Sequence, residues 1–386
     1  MYGSRSIWDR GRGVGAVTRI NPRLGAVAAS AAVVLALALA ACGSTSSSST
    51  QSAGQQSGSG QSGSVKVSEG NATVTVPKGH LKLGLFMNAS ANQWQEQFIL
   101  GAQAAAKKAG DPLTIMNANF TVPTQVNQII NAATNHAFDA AVVNPIDGNA
   151  ICTATSQTLA KANILISVAA NPICGHAAAA TGSGMWAPGT LNYVGGDDNY
   201  PYVEAFINTA GALNPGKQNV VAVVGPTTGS ATIAEKKAFN GYAATHPNFH
   251  INGYVYTDYT TPTAYTDTLN YLKANPDTTL ILSIYSPDMT KGVIQAMTAL
   301  GDLKKIKVAD EGGSSYSVQE VKDGNLQFTL PYFPYYQAYQ AVQSLVDAQN
   351  GRTPARFVPD VPPADGTVDK PLVITKANAA SFHPQY

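Results

Sequence analysis

Short apolar runs and helical patterns alternate along the chain from about residue 80 onwards. The runs are LKLGLFMN, LTIMNAN, AAVVNP, ILISVAA, NVVAVVGP, TLILSIY, IKVADEG and LQFTLPY. Nearly continuous apolar runs, in contrast to strictly alternating ones, are typical of strands that are covered on both faces. Strands that alternate with helices at this spacing predict βαβ units and parallel sheets, and therefore an α/β fold.

The helical stretches carry their own start and end signals. In QWQEQFILGAQAAAKKAG, Phe98, Ala102 and Ala105 recur at helical spacing, and Gly110 ends the pattern. Residues 286–288 (Ser-Pro-Asp) combine a cap, a first-turn proline and a first-turn acid, which is typical of a helix N-terminus.

The βα units are too many for one sheet of ordinary size. Residues 182–201, GSGMWAPGTLNYVGGDDNYP, interrupt the rhythm with Gly, Pro and Asn. We expect the chain to cross there between two similar, doubly wound lobes. Open α/β sheets bind ligands at the carboxyl ends of their strands, so the cleft between the lobes is the expected binding site.

The N-terminus has the pattern of a targeting segment. Arginines precede the apolar stretch LGAVAASAAVVLALALAAC, which matches the basic and apolar regions of a signal peptide. The stretch ends in Leu-Ala-Ala-Cys42, which is similar to the bacterial lipobox, where the cysteine is lipidated and becomes the new N-terminus. Residues 1–42 are therefore predicted to be a lipoprotein signal peptide. A permanent transmembrane helix is the alternative, although the run is short for a span.

The composition indicates a linker and gives no support for nucleic acid as a partner. Residues 43–64 contain only Gly, Ser, Thr, Gln and Ala, which cannot bury a core, and we predict a flexible linker over 43–79. The chain of 386 residues has a formal net charge of +1, which gives no electrostatic argument for a nucleic acid partner.

Two cysteines remain if Cys42 carries lipid. Cys152 and Cys174 would then form a pair in an oxidising compartment, which predicts a disulfide. Two buried free thiols are the alternative.

Familiar catalytic motifs are missing from the sequence. It contains no H-E-x-x-H, no G-x-x-x-x-G-K-[ST] and no G-x-S-x-G, and its six histidines lack metal-ligand spacing. Carboxylate pairs at 197–198 and 310–311 follow predicted strands and could serve in acid/base chemistry. Accepting hydrogen bonds from ligand hydroxyls explains them equally well. We therefore expect no enzyme activity, no cofactor and no metal site.

Several motifs occur in the order of a known family. The stretch VNQIINAATNHAFDAAVVNPIDGNA resembles the Q-x-x-x-I, (F/Y)DA and NP-x-D run of the type I periplasmic sugar-binding proteins. GAQAAAKKAG is similar to their first helix, ANPDTTLILSIYSPDMTKGVIQAMTALG to a strand and helix of their second lobe, and VKDGNLQFTLPYFPYYQAYQAV to their last crossing. The resemblance covers about 80–350 and implies two parallel-sheet lobes joined by a hinge of several crossings. It places the N-terminal lobe at 80–196 plus 333–366 and the C-terminal lobe at 197–332 plus 367–386.

The resemblance also implies a function. A lipidated member would be an extracytoplasmic receptor of an ABC importer, anchored to the cell membrane and monomeric. It would close its lobes around a sugar or sugar-like molecule and hand this solute to a permease. A sensor that presents its ligand-loaded surface to a membrane signalling partner shares the fold and remains a second hypothesis, and an extracellular hydrolase is a third.

Ligand residues carry over only where positions match. Trp94 would stack on a sugar face and Asn92 would bind hydroxyls, whereas Asn144 and Asp147 are interpreted as structural. One departure is large, because an Asp-Arg pair of the family falls on Ala170-Asn171. Ribose is therefore not the expected solute, and the expected site has more aromatic rings and less charge. The full predicted set is Asn92, Trp94, Asn171, Lys236, Tyr259, Ser286, Asp310, Glu311 and Tyr332.

The aromatic stretch LPYFPYYQAY, at 330–339, divides by position. Helical spacing after the proline predicts that Tyr335 and Tyr339 face the core and that Tyr336 lies on the polar side. Tyr332, at the end of a predicted strand, is the member expected at the cleft.

Overall fold

A computed structural model describes residues 63–386 except 180, 197, 198 and 286. The predicted signal peptide, the lipidation site Cys42, the first part of the linker, the acidic pair at 197–198 and the predicted ligand residue Ser286 therefore lie outside the described residues.

The described chain alternates strands and helices after an initial hairpin. Its strands are β1 (Ser64–Ser68), β2 (Thr73–Pro77), β3 (Leu83–Met87), β4 (Leu113–Asn117), β5 (Ala140–Val143), β6 (Leu165–Ala169), β7 (Asn192–Gly195), β8 (Gln218–Val224), β9 (Phe249–Tyr256), β10 (Leu280–Ser283), β11 (Lys307–Gly312), β12 (Thr329–Pro331), β13 (Phe357–Pro359), β14 (Gly366–Thr367) and β15 (Lys370–Pro371). Its α-helices are α1 (Gln93–Ala109), α2 (Val122–Thr134), α3 (Tyr200–Leu213), α4 (Ser230–Thr245), α5 (Thr261–Ala274), α6 (Pro287–Leu300), α7 (Ser315–Lys322) and α8 (Pro334–Gln349).

Two parallel sheets form two lobes, which confirms the predicted α/β fold. The first lobe has six strands in the order β13-β7-β6-β5-β3-β4, and the second has five in the order β12-β11-β10-β8-β9. Every residue of β3, β5 and β6 is buried, because helices cover both faces of the sheet.

Three segments connect the lobes. The chain passes from β7 to α3, returns from β12 to α8, and after β13 crosses again, so that Ile374 pairs with Thr329 of the second sheet. The exact lobe boundaries given by the sequence stay a prediction.

The start of the fold differs from the predicted linker. Residues 64–77 form the antiparallel pair β1-β2 instead of flexible chain, and Val67, Val74 and Val76 are buried in the core. Alternation of valine with polar residues gives each strand one apolar face, which packs against the first lobe. The predicted linker over 43–79 is therefore too long at its C-terminal end.

The aromatic helix α8 also corrects a prediction. Its buried face is formed by Ala338, Ala341, Val342 and Leu345, whereas Tyr335 is 37% exposed and stacks on the half-buried Tyr339. The helix packs against α1 and against β5, β6 and β7, and the two bulky rings lie outside its fully buried face.

A disulfide joins Cys152 to Cys174, as the sequence predicts, with the two Cα atoms 4.9 Å apart. Among the residues that the structure describes, no helix is both long and apolar enough to span a membrane.

Candidate ligand-binding site

A small cavity of about 120 Å³ lies between the carboxyl ends of the two sheets. Both lobes line it, as expected for a cleft between open α/β sheets. Its walls are Asn88, Phe120, Val122, Pro145, Ile146 and Asn171 of the first lobe and Pro226, Thr228, Gly229, Ser230, Tyr259 and Tyr285 of the second.

Three asparagines follow three neighbouring strands of the first lobe. Asn88 follows β3, Asn144 follows β5 and Asn171 lies two residues after β6, and these strands are adjacent in the sheet. Because parallel strands end at one edge, the three amides lie at the same edge of the sheet; Asn88 and Asn171 line the cavity, whereas Asn144 is fully buried and does not line it. We call Asn88, Asn144 and Asn171 the amide wall.

Part of the amide wall is buried without a hydrogen-bond partner among the described residues. Asn144 is fully buried, and neither its Nδ2 nor its Oδ1 is bonded. Asn171 donates from Nδ2 to the Pro145 carbonyl at 3.2 Å, but its Oδ1 has no partner. Native proteins bond most buried polar atoms, because each unpaired one costs about 1–3 kcal/mol. The Asn171 Oδ1 belongs to a residue that lines the cavity and is therefore available to bind a polar ligand.

Two aromatic rings belong to the opposite wall. Tyr259 and Tyr285 of the second lobe lie with ring centres 4.9 Å apart. They meet rings of the first lobe: Phe120 is 5.5 Å from Tyr259, and Trp94 is 5.9 Å from Tyr285. The lobes therefore touch across the cleft, and we call Tyr259 and Tyr285 the ring wall.

Backbone strain is concentrated at this cavity. Phe120, Tyr259 and Tyr285 have φ values of 55°, 65° and 84°, and Ala170, next to the amide wall, has 66°. Non-glycine residues adopt such left-handed conformations at a cost of the order of 1–3 kcal/mol, and they cluster at ligand sites. The strain turns three rings into the cleft from loops that follow β4, β9 and β10.

A glycine makes room for one of these rings. A Cβ atom on Gly225 would lie 2.1 Å from the hydroxyl oxygen of Tyr259. Only glycine therefore allows Tyr259 to pack against the end of β8.

None of the described residues that line the cavity carries a charge. The acids predicted as ligands lie behind it and are fully buried. Asp310 accepts hydrogen bonds from the hydroxyls of Thr290, Thr329 and Ser317, and burial raises the pKa of its carboxyl to about 6. Glu311 accepts a hydrogen bond from the Tyr332 hydroxyl at 2.9 Å.

The structure places the other predicted ligand residues in several locations. Asn171 and Tyr259 line the cavity. Trp94 is 1% exposed, stacked between Phe98 and Tyr285, so its ring touches the ring wall and does not line the cavity. Tyr332 packs at the second crossing, with its ring centre 5.9 Å from that of Tyr285.

Two predicted ligand residues lie away from the cavity. Asn92 caps α1 by accepting a hydrogen bond from Gln95 N at 3.0 Å, and it lines a separate outer cavity of about 350 Å³. Lys236 binds the Tyr256 hydroxyl at 3.0 Å and lies 5.3 Å from the ring centre of Tyr254. Its position on α4 directs it towards β9 and away from the cleft.

The sequence did not single out Asn88, Phe120 or Tyr285, and it assigned Asn144 a structural role. Each of these residues lies at or just after the end of a predicted strand. That position was the sequence signal that could have indicated a role in ligand binding. Asp147, by contrast, does cap the following turn, because its carboxylate accepts from Asn149 N and Ala150 N.

A larger cavity of about 490 Å³ lies in the second lobe, near the starts of β8 and β9. It faces the amino ends of the strands, and none of its lining residues holds a buried unpaired polar atom. We therefore place the candidate site at the smaller cavity. Within the described residues, no group of three or more His, Cys, Asp or Glu side chains could hold a metal ion.

Two parallel-sheet lobes with a cavity at the facing strand ends define a two-lobed binding protein. The model of the periplasmic binding protein domain matches residues 83–353. The chain therefore belongs to the periplasmic binding protein family.

Solved structures share the fold at low sequence identity. An ABC transporter solute-binding protein from Mycobacterium smegmatis with bound glycerol is 21% identical, with a TM-score of 0.66, over 80% of this chain and 99% of that one. One from Actinobacillus succinogenes 130z with bound D-allose is 24% identical, with a TM-score of 0.63, over 78% and 99%. One from Bacillus halodurans C-125 with bound myo-inositol is 16% identical, with a TM-score of 0.66, over 80% and 98%.

A comparison with curated protein sequences finds no match. The family and the structural neighbours are solute-binding proteins of ABC transporters and not enzymes. The resemblance drawn from the sequence motifs is thereby confirmed.

Proposed function

We propose that this chain is an extracytoplasmic receptor that closes its lobes around a neutral, polyhydroxylated small molecule, such as a sugar or polyol, for an ABC importer. The observation that carries the proposal is a cavity whose described lining is uncharged and in which the unpaired Asn171 Oδ1 lies opposite tyrosine rings. The bound molecules of the three structural neighbours are also neutral polyols.

The two walls have complementary roles in this proposal. An amide offers both donors and an acceptor, so it matches hydroxyl groups, which also donate and accept. The tyrosine faces cover the apolar CH groups of the solute. Because none of the described lining residues is charged, a charged solute would lose its hydration without gaining a counter-ion from them.

Binding would stabilise the closed arrangement. A solute that touches both walls has a higher affinity for the closed state than for the open one, and this difference shifts the equilibrium. A permease can then recognise the loaded protein by the relative position of its lobes.

The solute class can be tested by mass spectrometry of the small molecules released from protein purified without denaturation. A thermal-shift panel of glycerol, D-allose, myo-inositol and the charged control glucuronate follows. We expect a neutral polyol to be released and to raise the melting temperature, with no effect of glucuronate. A larger shift with glucuronate than with every neutral compound would overturn the proposal.

We further propose that Cys42 anchors the protein to the cell membrane by lipid, as a monomer. The support is the lipobox-like sequence before Cys42. Cys42→Ser should move the protein from the membrane fraction to the soluble fraction, whereas the control Ser47→Ala should leave the protein in the membrane fraction. Retention of Cys42→Ser in the membrane would contradict the lipid anchor.

A further inference from the structure

One helix of the second lobe contacts the first lobe beside the cavity. Ser230, Ile233, Ala234 and Lys237 fall at positions i, i+3, i+4 and i+7 of α4 and therefore share one face. This helix lies against the short helix His176–Ala178 of the first lobe. We call these four residues the α4 stripe.

Both ends of the α4 stripe make hydrogen bonds to the first lobe. The Ser230 hydroxyl oxygen accepts from Gly148 N at 3.1 Å and lies 3.5 Å from the Pro172 carbonyl. The Lys237 ammonium donates to the Ala178 carbonyl at 2.6 Å. It also lies 4.3 Å from the ring centre of Tyr200, at the start of α3 just after the first crossing.

The partners of the α4 stripe are braced by the disulfide. Cys152 and Cys174 join the segment that follows Gly148 to the segment that carries Pro172. Cys174 N also donates to the Gly148 carbonyl at 3.0 Å, and a Cβ atom on Gly148 would lie 2.1 Å from the Pro172 carbonyl oxygen. The first lobe therefore presents a fixed surface to the second.

We propose that the α4 stripe is a latch that holds the lobes together without a solute, and that Lys237 is a positioning residue for closure. The proposal deepens the proposed function and rests on it where solute affinity is concerned. Lys237 and Ala178 do not line the cavity, so their bond contributes to the closed state with or without solute. Apparent affinity falls in proportion to the fraction of binding-competent molecules, so a weaker latch weakens binding without a lost solute contact.

The first test uses no solute. The radius of gyration of the full chain is measured by small-angle X-ray scattering for the wild type and Lys237→Met, which keeps the aliphatic stem but removes the donor. We expect a larger radius for Lys237→Met, and a value near that of the wild type for Lys237→Arg, which can still donate to the carbonyl. The control is Lys217→Met, an exposed lysine of the same lobe outside the stripe, with no expected change.

The second test measures affinity for myo-inositol by calorimetry. One lost interlobe hydrogen bond should weaken binding by about fivefold in Lys237→Met, with Lys237→Arg close to the wild type. If myo-inositol binds to no variant, the proposed solute class fails, but the scattering experiment still decides on the latch. Equal radii for the wild type and Lys237→Met, or equal opening by Lys217→Met, would overturn the latch.

The disulfide provides an independent arm. The double variant Cys152→Ser/Cys174→Ser should open the free protein in the same direction as Lys237→Met, because the braced surface is loosened. Circular dichroism checks that it folds, and if it does not, the two lysine variants remain decisive. A folded double variant with the radius of the wild type would contradict the role of the disulfide in the latch.

Discussion

The two lobes have nearly the same architecture, but they supply different chemistry to the cleft. The first lobe contributes the amide wall at the ends of three adjacent strands, and the second contributes the ring wall on two strained loops. Strand ends fix the direction of a side chain, which suits hydrogen bonds that must point at a hydroxyl. Loops with positive φ turn large rings inward, which suits contact area.

The lobes also differ in how they hold a buried glutamate. Burial raises the pKa of both Glu69, in the hairpin on the first lobe, and Glu235, on α4 of the second, to about 8. Glu69 accepts a hydrogen bond from Ile166 N at 2.8 Å and lies near Arg356, and both lower its pKa somewhat. Glu235 Oε2 has no partner among the described residues.

The largest expected effect comes from Glu235→Gln and concerns stability. The pKa of Glu235 rises from 4.5 to about 8, so the native state keeps a proton that the unfolded chain loses in this range. The free energy of unfolding therefore falls as pH rises through this window, and glutamine, which stays neutral, removes that contribution. We expect a gain of up to about 3 kcal/mol near pH 7 and none near pH 4.

Urea unfolding from about pH 4 to pH 8.5 measures this prediction. Glu69→Gln is the matched variant, with a gain of similar size, because the pKa of Glu69 is also raised to about 8. A gain for Glu235→Gln that does not change with pH would show that burial of charge is not its cause.

Tyr285→Ala tests the ring wall. The substitution removes a ring that touches Trp94, Tyr259 and Tyr332, and buried aromatic anchors contribute about 2–4 kcal/mol to binding. We expect affinity for the polyol identified by mass spectrometry to fall about a hundredfold in calorimetry. The control Tyr285→Phe keeps the ring and should stay within a few-fold of the wild type. Unchanged affinity in Tyr285→Ala would show that the Tyr285 ring does not contact the solute.

Asn171→Leu tests the amide wall and has the smallest expected effect. Leucine is similar in size to asparagine but removes the hydrogen bond to the Pro145 carbonyl, so stability should fall by about 1 kcal/mol, while the loss of one hydrogen bond to the solute should weaken affinity about tenfold. Thermal unfolding and calorimetry measure the two quantities separately. Asn131→Leu, on the exposed side of α2, is the control. Equal affinities for Asn171→Leu and this control would locate the solute elsewhere.

The fold was accessible from the sequence because its signals are local. The apolar run of β3 became a fully buried strand, and Gly110 became the left-handed cap of α1, with φ 78°. The β1-β2 hairpin was missed because its five-residue alternations directly follow low-complexity sequence.

The site was less accessible because it depends on contacts between distant parts of the chain. Helical spacing gave α8 an apolar side, but only packing against α1 decided that Tyr335 lies outside it. Motif matching carried Lys236 to the site, yet its place on α4 turns it to Tyr254 and Tyr256. The pairing of Trp94 with Tyr285 joins residues from different lobes, and no local pattern encodes it.

The β1-β2 hairpin, which precedes the residues matched by the family, is joined to the first lobe by hydrogen bonds. The Arg356 guanidinium donates to the carbonyls of Ser68 in the hairpin and Leu191 before β7, and Gln349 donates to Pro77 and Gly79. The hairpin that follows the proposed anchor is thus bonded to the first lobe. If the protein is anchored at Cys42 and closes on a solute as proposed, the first lobe would stay near the anchor and the second lobe, with the ring wall, would move towards it.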